Sequence, residues 1–209
     1  MSVTDKIASA LLQIKAIKLE PQTPFRWASG WLSPIYCDNR LTLSYPEIRS
    51  EIADELATLI AASFPSAQGI AAVATGAIPH GTLVANRLGW PMVYVRSAAK
   101  EHGMGNLVEG VFQPGQRLVV VEDLISTGKS SLKAVEALRA AGAEVCGMVA
   151  IFTYGFDAAE TAFEKAGCKL FTLTNYETVI RIAGKENALS PQVSDTLLNW
   201  RKNPDSWKP

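Results

Sequence analysis

Apolar residues along this chain follow two spacings, and the change between them comes at Gly69. Before it, Ile7, Leu11 and Ile14 recur at helical intervals, which predicts a helix from Thr4 to about Ile17 that Pro21 and Pro24 terminate. Ile48, Ile52, Leu56 and Leu59 predict a second helix, opened by a capping box of Ser44 and Glu47 and ending near Phe64 and Pro65. After Gly69 short apolar runs alternate with helical stretches. IAAVA leads to a helix through Leu83 and Leu88 closed by Gly89, and then to PMVYV. Beyond a polar interval come RLVVV, a helix from about Lys129 to Ala141 closed by Gly142, VCGMVAIF, a helix near residues 157–166, and KLFTL. Strands apolar on both faces and separated by helices indicate a sheet covered on both sides. The predicted fold class is α/β, a parallel central sheet with flanking helices.

With 209 residues and no repeat, low-complexity tract or linker, one domain over 1–209 is expected, its core sheet spanning 69–175. Lys plus Arg balance Asp plus Glu, 20 against 20, so no global field draws the protein to nucleic acid or an anionic membrane. Any anion must be met locally. Cys37, Cys146 and Cys168 are scattered and odd in number, without Cys-x-x-Cys spacing, which argues against a disulfide framework or a zinc site and suits a cytoplasmic protein. The first twenty residues read as an amphipathic helix rather than a signal peptide, and no apolar run has membrane-spanning length.

The stretch VVVEDLISTG, Val119–Gly128, places Glu122 and Asp123 at the exit of a buried strand, directly before a loop rich in hydroxyls. In open parallel sheets ligands bind beyond the carboxyl ends of the strands. There Ser126, Thr127, Gly128, Lys129, Ser130 and Ser131 can offer backbone N–H groups, hydroxyls and an ammonium to a phosphate at a helix start. A helix dipole contributes about 0.3–1 kcal/mol, whereas each hydrogen bond to a charged group contributes roughly 1.5–3 kcal/mol, so loop geometry should set affinity. A nucleoside-triphosphate P-loop fails on spacing, because Asp123 stands where that motif needs a glycine five positions before Gly128. The arrangement suits a sugar phosphate, whose ribose hydroxyls donate to ionised Glu122 and Asp123. The plain alternative is two helix-capping acids and an ordinary turn.

VVVEDLISTGKSS resembles the signature of the phosphoribosyltransferases, a hydrophobic strand, two acids and a Thr/Gly/Ser-rich turn, with Glu in place of the commoner first Asp. The resemblance implies binding of 5-phosphoribosyl 1-diphosphate by Glu122, Asp123, Leu124, Ile125, Ser126, Thr127, Gly128, Lys129 and Ser130. GIAAVATGAIPHGTLVA matches the family's strand-turn-helix, whose turn at Thr75 and Gly76 approaches the diphosphate. VRSAAKEHGMGNLVEG resembles the mobile lid of the orotate phosphoribosyltransferases, with Arg96, Lys100 and His102 at its basic positions. Physically it is polar, has Gly103 and Gly105 as flexible points, and lies between two apolar strands. A solvated hairpin with incidental charges would look similar.

FRWASGWLSPIYCDNR, Phe25–Arg40, resembles the orotate enzymes' SG-x-x-S-x-x-Y segment, which implies a flap within 1–45 and an orotate site of Ser29, Gly30, Tyr36 and Ser126. The chain departs from the family at three places. Ala28 stands where some members carry lysine, Ser97 follows Arg96 where many have a second basic residue, and AIFTYGF lacks the arginine that grips the orotate carboxylate in one branch. That carboxylate is left to Ser126, loop N–H groups or Arg40. The resemblance implies transfer from 5-phosphoribosyl 1-diphosphate to orotate, in a homodimer whose lid, Arg96–Asn106, serves the neighbouring subunit. It also implies Lys100, His102 and Asp123 as catalytic residues, and Mg²⁺ held through substrate and water rather than by the protein. A phosphoribosyltransferase for another base, and a non-catalytic sensor of the donor, remain the alternatives.

Overall fold

The computed structural model describes residues 1–27, 29–98, 107–185 and 189–208. Its amino-terminal part runs α1 (Val3–Gln13), β1 (Ile17–Leu19), β2 (Phe25–Arg26), β3 (Leu32–Ser33), β4 (Ile35–Cys37), a 3₁₀ helix (Asn39–Ser44) and α2 (Pro46–Ser63). There follow β5 (Gly69–Val73), α3 (Ile78–Leu88), β6 (Met92–Val95), β7 (Val108–Glu109), β8 (Arg117–Ile125) and α4 (Lys129–Ala140). Then come β9 (Glu144–Thr153), α5 (Asp157–Lys165), β10 (Leu170–Asn175), α6 (Tyr176–Lys185) and α7 (Pro191–Lys202). The central sheet has six strands in the order β10-β9-β8-β5-β6-β7, parallel except for β7, which pairs antiparallel with β6 at the edge. This is the α/β fold that the apolar runs indicate.

Leu118–Val121 are apolar at every position because both faces of β8 are covered. Val119 and Val121 belong to a core with α1, α2 and α3, while Leu118 and Val120 pack into a second core with Ala134, Val135, Leu138 and Phe163 of α4 and α5. Ile52 and Leu56 of α2 are fully buried, and β5 is buried at all five positions.

Three local expectations are corrected. The first helix stops at Gln13, before the prolines, because Lys15 takes a left-handed conformation (φ 57°) and Ile17 enters β1, opposite Cys37 of β4. The Ser44/Glu47 capping box does not form: the helix starts one residue later, with Tyr45 as an N-cap that makes no side-chain hydrogen bond. Pro46 occupies the first turn, where an absent N–H is not missed. Finally, β8 does not end at Val121 but continues through Glu122 and Asp123 to Ile125, paired with β9 (Glu122↔Ala150, Leu124↔Phe152). The two acids are therefore the sixth and seventh of the nine residues of the strand.

The tail has a definite place. Trp200 of α7 is fully buried, donates from Nε1 to the carbonyl of Leu32 in β3 (3.0 Å), and packs against Trp27, Tyr154, Phe156 and Tyr176. Trp207 also packs against this core. The carboxyl-terminal helix thus clamps the hairpin of β2 and β3 onto the end of β9. No helix among the described residues is long and apolar enough to cross a membrane.

Candidate active site

Chain order reverses between β5 and β8. From β5 the chain moves outward to β6, and from β8 it moves the opposite way to β9 and β10. Connections leaving two adjacent parallel strands in opposite directions open a crevice at their carboxyl ends, the ligand position in open α/β sheets. A cleft of about 1020 Å³ lies there. One wall is Val73–Gly76 after β5 together with Glu122–Leu124 and Ser126–Ser130, and the other is the amino-terminal segment from Arg26 to Arg40.

The two acids divide in role. Glu122 is only 5% exposed, and its oxygens have internal partners: Oε1 accepts the Asp123 N–H (3.1 Å) and Oε2 accepts the Ser131 hydroxyl (2.9 Å). Burial, reinforced by the neighbouring Asp123 carboxylate, pushes the Glu122 carboxyl well above the usual range. Glu122 is thus not the freely ionised acceptor expected from the sequence. Asp123 is half-buried and turns its carboxylate across the start of the β5–α3 turn. A Cβ built on Gly76 would sit 2.7 Å from Asp123 Cγ and collide with both carboxylate oxygens, so only glycine lets the β5–α3 turn approach Asp123 this closely.

Downstream, Gly128 caps α4 at φ 76° with no side-chain capping bond. The first-turn N–H groups of α4 therefore remain available to an anion, while the nearby Ser131 hydroxyl is used on Glu122. Gly128 is required twice over, by its left-handed backbone and by Phe163, whose Cε2 would lie 2.8 Å from an added Cβ. Thr127 and Ser126 are half-buried and Lys129 and Ser130 exposed, giving a cradle of amides, hydroxyls and one ammonium.

A buried polar link joins the walls. Asn39, 1% exposed at the start of the 3₁₀ helix, donates from Nδ2 to the backbone carbonyl of Asp123 at 2.6 Å. Thr42 donates to the Asn39 carbonyl (2.6 Å) and lies 3.4 Å from Nε2 of fully buried His80. Burial holds His80 below the ordinary histidine value, partly offset by the Asp123 charge. At the other end of the flap, Trp27 stacks with Trp31 (6.2 Å, 20°) and packs on Tyr154 at 4.9 Å.

Of the residues singled out from the sequence, the cleft gathers Thr75, Gly76, Glu122, Asp123, Leu124, Ser126, Thr127, Gly128, Lys129, Ser130, Ser29 and Tyr36. Gly30 and Ile125 are not among its lining residues. Ile125 is fully buried in the core with α4. Arg96 lies elsewhere, with Nη1 3.5 Å from Glu109 across the β6–β7 pair. Lys100 and His102, with the rest of the expected lid from 99 to 106, lie outside the described residues. The aromatics of FRWASGW bring Trp27 and Trp31 to the cleft, whereas the sequence singled out neither Tyr154 nor Arg26 as cleft residues, nor Asn39 as the link. Among the described residues no three His, Cys, Asp or Glu side chains gather to hold a metal. Asp123 is the cleft carboxylate that fits as an outer partner to a hydrated hard cation, since the oxygens of Glu122 have internal partners and Asp38 is paired with Arg40.

The phosphoribosyl transferase domain family matches residues 46–186. A Porphyromonas gingivalis protein named orotate phosphoribosyltransferase is 58% identical over 201 residues, 96% of each chain. One of the same name from Cytophaga hutchinsonii is 54% identical over the full length of both. Among solved structures, the orotate phosphoribosyltransferase of Aeropyrum pernix aligns at 29% identity with a TM-score of 0.74, over 88% of this chain and 99% of that one. The UMP synthase of Leishmania donovani aligns at 26% identity and a TM-score of 0.80, over 95% of this chain and 42% of that one.

Proposed function

The chain belongs to the phosphoribosyltransferase family, in its orotate branch, and from that premise we propose how its cleft performs the transfer. The reaction joins orotate to the ribose of 5-phosphoribosyl 1-diphosphate, giving orotidine 5′-monophosphate and diphosphate, a step of pyrimidine nucleotide synthesis. The observation that supports the assignment of roles is the pairing, in one cleft, of an uncapped helix start with an aromatic flap.

In this proposal the 5′-phosphate sits on the amides and hydroxyls of Ser126–Ser130, and the Asp123 carboxylate accepts the ribose hydroxyls. Glu122 acts from behind, holding the Asp123 N–H and the Ser131 hydroxyl and so fixing the strand-to-helix junction. Thr75 and Gly76 approach the diphosphate. The pyrimidine ring lies against the flap, bounded by Ser29, Tyr36 and the indoles, with Ser126 on the opposite wall. Breaking the bond to diphosphate places positive charge on the ribose and negative charge on the leaving group. Fixed donors on the phosphate side and exclusion of water by the flap lower the cost of that separation. Asp123 would be the outer protein partner of a hydrated Mg²⁺, which would supply countercharge to the departing diphosphate. The lid cations Arg96, Lys100 and His102 close over the diphosphate, from the neighbouring subunit of a homodimer. The working unit is one cytoplasmic domain, with 1–45 as the base-binding flap and 69–175 as the core sheet.

The test is loss of orotate absorbance in the presence of 5-phosphoribosyl 1-diphosphate and Mg²⁺, run beside adenine, hypoxanthine and uracil. Consumption of orotate alone is expected. Turnover of a purine instead would replace the acceptor, and no turnover with any base would favour a donor sensor.

A further inference from the structure

Orotate differs from uracil by one carboxylate, and the cleft must read that group to discriminate between them. We propose that Arg26 is the residue that reads it, an inference that rests on the orotate reading above. Three cations line the cleft among the described residues: Arg26, Arg40 and Lys129. Lys129 is the first residue of α4, beside the phosphate cradle. Arg40 is already engaged through both arms of its fork, Nε to Asp38 Oδ1 at 2.6 Å and Nη2 to Asp38 Oδ2 at 2.9 Å. A second carboxylate arriving at Arg40 meets a neutralised pair and has to compete with Asp38.

Arg26 differs on both counts. It stands on the flap wall, in β2 opposite Leu32 of β3, and among the described residues it makes one long bond, from Nη1 to the Gly30 carbonyl in its own hairpin, 3.4 Å. No carboxylate among the described residues pairs with it. Its hairpin is nevertheless held in place, since Trp27 packs on Tyr154 and on Trp200, and the Trp200 indole N–H bonds the Leu32 carbonyl. The guanidinium is therefore an uncommitted planar fork carried by an anchored flap on the wall assigned to the base. A fork of this geometry matches a carboxylate through two parallel N–H···O bonds, which a lysine ammonium does not reproduce. Uracil offers it nothing equivalent.

The experiment compares binding of orotidine 5′-monophosphate and uridine 5′-monophosphate by calorimetry, since the two share ribose and phosphate and differ only in the carboxylate. Wild-type protein should prefer orotidine 5′-monophosphate by about tenfold to a hundredfold, the span of one charge-assisted bidentate contact. Arg26→Ala should bring the ratio close to one with uridine 5′-monophosphate affinity unchanged, and Arg26→Lys should fall between. In turnover, Arg26→Ala should raise the orotate KM by a similar factor and leave the donor KM alone. A wild-type preference that survives in Arg26→Ala would overturn the inference and leave the orotate reading standing. A wild-type enzyme that consumes another base but not orotate would overturn both.

Discussion

Gly76→Ala probes the contact on which the donor site depends. The new Cβ would lie 2.7 Å from Asp123 Cγ, where carbon atoms ordinarily rest about 3.5–4.0 Å apart. The carboxylate must therefore retreat by roughly 1 Å. The Asp123 backbone cannot follow easily, because Asn39 holds its carbonyl at 2.6 Å and the flanking residues Glu122 and Leu124 are paired with β9. The side chain rotates instead, at about 0.5–1.5 kcal/mol for an off-rotamer angle, a modest stability loss because the cleft gives it room. The functional loss is larger. Moving the acceptor away from the ribose hydroxyls forfeits a charge-assisted hydrogen bond of roughly 1.5–3 kcal/mol, which at 1.4 kcal/mol per decade is about a ten- to hundredfold weaker donor Kd. Calorimetry with 5-phosphoribosyl 1-diphosphate, accompanied by a thermal melt, reads both quantities. A donor Kd within twofold of wild type in a folded Gly76→Ala protein would refute the assignment of Asp123 to the ribose.

Three other outcomes are expected. Asn39→Ala removes the tie to the Asp123 carbonyl and should cost about 1–3 kcal/mol of stability, the price of a buried acceptor left unpaired; an unchanged urea midpoint would show that the link carries no weight. Trp200→Phe keeps a ring in the cluster but loses the bond to Leu32, so orotate KM should rise while donor KM holds, and equal changes in both would contradict a role confined to the flap. Glu122 has its folded pKa raised, so its favourable contribution is complete below its unfolded value of about 4.3 and is lost as pH rises through the folded value. Glu122→Gln should flatten the decline of melting temperature from weakly acidic to alkaline pH, and parallel wild-type and variant curves would exclude that linkage.

The sheet was legible because burial on both faces writes continuous apolar runs, and the helix ends at Gly89 and Gly142 were legible from glycine chemistry. The cleft-lining loop Ser126–Ser130 was legible as a local motif. What escaped was non-local. The burial of Glu122 depends on Ser131 nine positions on and on pairing with β9, neither of which the run VVVED displays. Asn39 looks like a loop residue until the fold brings it to Asp123, 84 positions away. The strands β1 to β4 are two or three residues long, too short to show a period, and the β2–β3 hairpin is held by Trp200 from the other end of the chain. The Arg96–Glu109 pair at the sheet edge was likewise hidden, because β7 is two residues long and has no apolar pattern of its own.

The most direct test follows the backbone amides by nuclear magnetic resonance while 5-phosphoribosyl 1-diphosphate is added with Mg²⁺. The largest shifts are expected at the N–H groups of Ser126–Ser130 and at Thr75 and Gly76. A second groove of about 640 Å³ runs between α5 and β10, lined by Glu160, Phe163 and Leu170. Shifts concentrated there, with Ser126–Ser130 unmoved, would contradict the account.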